Sequence, residues 1–233
     1  MNNILNYETY LFISSKKLII TVNTDLEKKI YYEELLVDEF HKHQNFRKLD
    51  HFLNQNIFKI EKKFKNFIEK ITIILDLDIF FPIEISVKKN NYNDFINLKS
   101  LNHLLYEAKE SCKKTIEYKR IVHMIIENYQ IDKKNYSFFP ENIKCQSYSL
   151  DLKLICISNK QIEELERILK RYHISLNQVL SCNYLENFLS NDERDIFSIA
   201  KKMKDGFNPN EVILTNKTFK NEGFFEKFFN FFS

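Results

Sequence analysis

The chain has 233 residues, 44% of them hydrophobic and 15% aromatic, which is enough apolar material for a substantial core and excludes a globally disordered chain. Its 35 basic and 32 acidic residues nearly cancel to a formal charge of +3, so the strong positive field of a general nucleic-acid binder is absent. The only two glycines, Gly206 and Gly223, lie too far apart for a P-loop or dinucleotide loop, whose backbone needs clustered glycines to turn sharply against a phosphate.

In chain order, Thr9 to Val22 predicts two short strands around the polar turn Ser14 to Lys17, and Lys29 to Val37 predicts a third. Asp38 to Arg47 carries an H-x-H pair, His41 and His43; with His51 as the one further ligand nearby, a solvated loop is the preferred reading over a metal site. From Leu49 the pattern becomes helical, with Phe52, Leu53, Ile57, Ile60, Phe64, Phe67 and Ile68 on one side and lysines opposite. Ile71 to Phe81 is nearly continuous in apolar residues and predicts a central strand. Asp76 and Asp78 within it form a D-x-D, read as strand-end carboxylates with a metal-binding or catalytic role as the alternative.

The apolar run Ile83 to Val87 predicts a strand, and Leu98, Leu101, Leu105, Ala108 and Cys112 then recur at helical spacing. Ile121 to Tyr129 predicts a strand from its β-branched and aromatic content, with His123 as a satisfied strand histidine. Tyr148, Leu150, Leu152 and Leu154 alternate with polar residues, the signature of a sheet with one buried face. A helix follows with Ile162, Leu165, Ile168, Leu169 and Tyr172 on its stripe, so 83–172 is expected to form an α+β unit of strand, helix, strand, strand and helix. His173 to Leu180 predicts another strand; Tyr184 to Leu189 and Asp195 to Met203 predict short helices, the second capped by Asn191 or Asp192. Gly206 and Pro209 break the pattern, and 206–222 is expected to be a polar linker.

The four cysteines, Cys112, Cys145, Cys156 and Cys182, are dispersed with no C-x-x-C, which argues against a zinc knuckle and for buried free thiols in a reducing compartment. No secretory leader pattern opens the sequence, and no run approaches the ~18 apolar residues of a membrane span. The last stretch, Gly223 to Ser233, places Glu226, Lys227, Asn230 and Ser233 on one arc of a helix and Phe224, Phe225, Phe228, Phe229, Phe231 and Phe232 on the other. That predicts an amphipathic helix lying on a membrane surface, with docking on the protein's own core as the alternative.

The stretch carrying Ala108, Lys109, His123, Tyr129, Ile131 and Asp132 resembles the bacterial actin-related cell-division family FtsA, in which a helix ending in Ala-Lys leads into a strand with His and then Tyr-x-Ile-Asp. The resemblance covers roughly Thr9 to Ser190 and implies a mixed α+β chain: a partial actin-like N-terminal lobe (1–82), an inserted subdomain (83–172), a helical return segment (173–205), the linker, and the terminal helix (223–233). The family's first phosphate loop falls on Phe12, Ile13, Ser14, Ser15, Lys16 and Lys17, where its aspartate and glycine are missing, and its second lobe, which docks FtsZ, has no counterpart. The resemblance therefore implies a reduced, membrane-associated adaptor at the division site, on the inner face of the cell membrane, without ATPase activity, cofactor or metal. Its implied partners are other division proteins, FtsZ by some other surface, a full-length FtsA, or further copies of itself, and not nucleic acid. Three alternatives stay open: an inner-membrane assembly platform of the PilM type, which shares the actin-like plan and the insertion, an enzyme using Asp76 and Asp78, and an unrelated α+β binding module.

Overall fold

The computed structural model describes residues 7–24, 29–37, 46–112, 115–191 and 194–212. In chain order the elements are β1 (Tyr7–Ser14), β2 (Lys17–Thr24), β3 (Lys29–Leu36), α1 (Phe46–Phe64), β4 (Lys70–Asp76), β5 (Phe80–Phe95), α2 (Leu98–Cys112) and β6 (Lys119–Ile131). Then follow β7 (Lys134–Tyr136), β8 (Lys144–Ser158), α3 (Asn159–Lys170), β9 (Ser175–Ser181), α4 (Cys182–Glu186) and α5 (Ile196–Lys204). The described residues divide into two compact units, one within 7–80 and 157–203 and one within 81–156 and 204–212.

The first unit is a five-stranded mixed sheet in the order β3-β2-β1-β4-β9. β1 to β3 form an antiparallel meander, while β4 pairs parallel with β1 and β9 parallel with β4. The result is a mixed α and β architecture, the fold class the resemblance implies. Parallel strands need crossovers, and the helices that make them cover sheet faces, which is why Ile71 to Leu75 are buried without a break. The alternation of β1 settles which helix covers which face: Tyr10 and Phe12 meet Phe197 of α5 at 6.1 and 6.4 Å between ring centroids, and Tyr7 meets Phe64 of α1 at 5.5 Å. α1 and α3 are tied through Asp50, whose carboxylate takes Arg171 Nη1 at 2.8 Å and the Tyr172 hydroxyl at 3.0 Å.

The second unit is a sheet in the order β5-β8-β6-β7 with α2 on one face. Asn97 starts that helix by accepting the Ser100 N–H on its side chain at 3.1 Å. Leu101, Leu104, Leu105, Ala108 and Cys112 then pack against Met124, Ile126, Tyr129, Leu150, Leu152, Leu154 and Cys156. Each fully buried leucine there contributes about 1.5–3 kcal/mol relative to exposure. The other face of the sheet is polar: Asp151 binds Ser86 at 2.5 Å and Asn128 at 3.0 Å, and Lys153 lies 3.9 Å from both Glu84 and Glu127. β6 and β7 are joined by Asp132 and Lys133, both left-handed (φ 45° and 68°), a two-residue turn whose twist suits a hairpin.

Several expectations change. The run Ile71 to Phe81 is not one strand, because β4 ends at the exposed Asp76 and a tight turn with Ile79 N–H on Leu77 O leads into β5. Helix α1 ends at Phe64; Lys65 turns left-handed (φ 52°), so Phe67 leaves the apolar stripe and is 76% exposed. Helix α3 belongs to the first unit, whereas the sequence pattern grouped it with the strands of 83–172. Asp195, and not Asn191, precedes α5, accepting the Ile199 N–H on its carbonyl and the Ser198 hydroxyl on its carboxylate; Asp192 lies outside the described residues. Of the expected linker 206–222, Asn208 to Val212 is bound to the second unit, and 213–222 lies outside the described residues. Ile126 N–H donates to Asn210 O and Val212 N–H to Met124 O, both at 2.8 Å, and Val212 is buried in that core. All four cysteines are free and buried, as expected.

Candidate functional site

In an open α/β sheet, ligands sit beyond the carboxyl ends of the parallel strands where the strand order switches direction, which here is the end of β1 beside β4. The register brings Ser14 opposite Asp76 at that edge, and Leu75 opposite Ser181 on the next strand. Ser181 then starts α4, accepting the Tyr184 N–H on its side chain. Three residues far apart in sequence thus share one rim.

The Ser14 to Lys17 turn is closed on itself. The buried Ser14 hydroxyl accepts the backbone N–H of Lys17 at 3.0 Å and of Lys16 at 3.3 Å, and donates to Lys17 O at 3.2 Å. Lys16 O in turn accepts the Val37 N–H at 2.8 Å, fixing the turn against the end of β3. A phosphate-binding turn must aim such amides at the ligand. In this turn the amides of Lys16 and Lys17 are directed at a side chain of the same turn.

The remaining expected residues fall as follows. Phe12 is buried against Phe197, Ser15 is exposed, and Lys17 lies with its ammonium 5.7 Å from the Phe12 ring centroid. Asp76 and Asp78 are exposed at the end of β4 and beyond it. Among the described residues no group of three or more His, Cys, Asp and Glu is placed to hold a metal ion. His51 contacts Gln55 at 2.9 Å; His41 and His43 lie outside the described residues. So do Phe224, Phe225, Lys227, Phe228, Phe229, Phe231 and Phe232 of the expected membrane helix. No helix among the described residues is long and apolar enough to cross a membrane.

Sequence reasoning missed Cys182 and Glu186 at this rim. Burial above all, and then the carboxylates of Asp76 and Glu186, push the Cys182 thiol up to about 12, with Lys17 acting in the opposite direction. A thiol held neutral in this way is a poor nucleophile, because the thiolate is the reactive form. The only sequence signal was Ser181, a capping residue between a strand pattern and a short helix.

His123 is a buried strand histidine whose Nδ1 lies 2.7 Å from Glu211 Oε1, on the segment that pairs with β6. Ala108, Tyr129 and Ile131 are likewise core residues of the second unit. Asp132 Oδ1 accepts the N–H groups of Gln146 and Ser147, both at 2.9 Å, and so holds the hairpin against β8. The residues that carry the family resemblance are therefore, Lys109 excepted, packing and turn residues.

No family model matches the chain, and no curated protein matches it. Among solved structures it is similar to the PilM–PilN type IV pilus biogenesis complex, with 10% identity over 76% of this chain and 48% of that one, at a TM-score of 0.43. It is similar to the cytoplasmic domain of EpsL, an inner membrane component of the type II secretion system of Vibrio cholerae (11% identity, 77% and 57% covered, TM-score 0.35). A third is a Bacteroides thetaiotaomicron protein with an actin-like ATPase fold and unknown function (14% identity, 78% and 55% covered, TM-score 0.30). The chain spans between 48% and 57% of the length of these three structures.

Proposed function

We propose that this chain is an actin-like assembly adaptor that binds protein partners at a membrane and neither binds nor hydrolyses nucleotide. The observation that carries the reading is the self-closed turn, in which the Ser14 side chain takes up the amides of Lys16 and Lys17 at the rim where a phosphate would sit. Titration calorimetry with magnesium ATP is expected to give no heat of binding. A micromolar site abolished by Ser14→Ala would overturn it.

Two settings suit such an adaptor, a pilus or secretion platform of the PilM type and the division site of the FtsA type. The platform reading stands first, because the residues shared with FtsA are mostly packing and turn residues of an inserted subdomain that both types possess. A gene neighbourhood of pilus or secretion genes is expected; neighbouring division and cell-wall genes would favour the division reading. Membrane attachment through the terminal phenylalanines belongs to the same proposal. Co-sedimentation with anionic liposomes is expected to be lost in Phe228→Asp with Phe232→Asp while the far-ultraviolet dichroism is kept, and unchanged sedimentation would sink that part.

A further inference from the structure

Strand β5 stands first in the order β5-β8-β6-β7, so among the described residues one of its sides is a sheet edge, and its 16 residues make it the longest strand among those described. An edge strand presents a row of backbone donors and acceptors to any chain that can lie beside it. Burial alternates along its middle: Ile83, Ile85 and Val87 lean on the core, while Glu84, Ser86 and Lys88 are exposed on the polar face. The regular pleat ends at Tyr92 and Asn93, which are left-handed in succession (φ 52° and 64°). The stretch Ile83 to Asn91 is therefore the part able to receive a partner.

We infer that the partner is a second copy of the chain, paired antiparallel through β5 about a two-fold axis at Ser86. Charge selects both the partner and the register. The charges on an edge deter strands in general, and only a strand bearing opposite charges in the matching order removes the penalty. With the axis at Ser86, Glu84 of each copy lies opposite Lys88 of the other, Ile85 lies opposite Val87, and the half-buried residues stay on one face. An axis at Glu84 or Lys88 sets like charges together, and an axis at Ile85 or Val87 leaves Glu84 opposite Ser86 or Asn90. A shift of one residue in the pairing puts the core-facing residues of one copy opposite the polar residues of the other. Glu84 is also under-neutralised within its own copy, because Lys153, 3.9 Å away, stands equally close to Glu127. The contact is isologous and closes as a dimer, and with two complementary charge pairs at its centre it is a weak, concentration-dependent one.

The test uses the full chain. Across the proposed axis the two Ser86 Cα atoms stand about 4.5–5.5 Å apart, within reach of a disulfide. The four native thiols are buried, so an introduced one reports alone. Under mild oxidation Ser86→Cys is expected to give a covalent dimer, and Glu84→Cys, whose counterpart lies off the axis, is not. In sedimentation velocity, Glu84→Lys and Lys88→Glu are each expected to weaken dimerisation about tenfold, the effect of replacing two attractive cross-strand pairs by repulsive ones. The double variant is expected to restore it. A chain that stays monomeric at every concentration, and whose Ser86→Cys variant forms no intermolecular disulfide, overturns the inference. So does a dimer that both single variants leave unchanged and that cross-links equally well at positions 84 and 86.

Discussion

In β4 every residue from Ile71 to Leu75 is buried, whereas in β8 burial alternates from Tyr148 to Cys156, with Ser149, Asp151 and Lys153 turned to the polar face. The first strand lies inside a mixed sheet with helices over both faces, and the second in a sheet with a helix on one face. The comparison teaches where variation is tolerated. In the first unit β4 has no exposed position between Lys70 and Asp76, and its one polar residue there, Thr72, is buried and accepts the Asn177 side-chain amide at 3.1 Å. The second keeps a whole face and an edge strand for charged side chains.

Truncating a central residue of the first unit should have the largest effect. Ile73→Ala in β4 removes a fully buried side chain and is expected to cost about 3–4 kcal/mol in urea unfolding. Ser149→Ala on the polar face of β8 should stay within about 0.5 kcal/mol. Comparable losses at the two positions would break the contrast.

An intermediate effect is expected at the pairing of His123 with Glu211. Glu211→Ala leaves the buried imidazole without the carboxylate 2.7 Å from it, and should destabilise the second unit by about 2–3 kcal/mol. Hydrogen exchange resolves the two units: amides of β6 should lose protection while those of β4 keep it. Tyr172→Phe should cost less, about 1 kcal/mol, because it deletes hydrogen bonds to the carbonyl and carboxylate of Asp50 at a partly exposed place. Its loss should appear in the first unit only.

The smallest effect at neutral pH concerns the thiols. Burial raises Cys156 of the second unit to about 11 and Cys182 of the first to about 12, from an ordinary value of 9.0. Between about pH 9 and 12 the folded state thus binds more protons than the unfolded chain. Stability is untouched below that window and falls as pH rises through it. Urea midpoints at about pH 8, 10 and 11 should show this slope, and Cys182→Ala should flatten it more than Cys156→Ala does. Equal flattening would mean that the carboxylates of Asp76 and Glu186 add nothing to burial at Cys182.

Sequence periodicity made most elements legible because burial writes itself into the order of side chains. The alternation in β8 and the stripes of α2 and α3 come straight from one-sided burial. It failed where chain direction changes without a composition change. Phe67 continues the stripe of α1 in sequence, and nothing but the left-handed Lys65 takes it out of register. Likewise the turn after Asp76 hides inside an apolar run. Of the candidate site, Phe12, Ser14, Ser15 and Lys17 were found through a family resemblance, and Asp76 and Asp78 as an isolated pair. That Ser14 and Asp76 stand side by side and that Cys182 completes the rim could not be read, because strand pairing is a non-local choice and no residue announces its neighbour in the sheet.

The sequence by itself determined what the chain lacks the residues to do, since two separated glycines and four scattered cysteines rule out clustered-glycine phosphate loops and C-x-x-C chemistry whatever the fold. It also determined which residues must be buried, since helix and strand periods are local properties of the backbone. Only the tertiary structure decided where those elements meet. It decided that Ser14 stands beside Asp76, that Glu211 returns to His123, and that β5 stands first in its sheet among the described residues, because each depends on a pairing closed over a long loop.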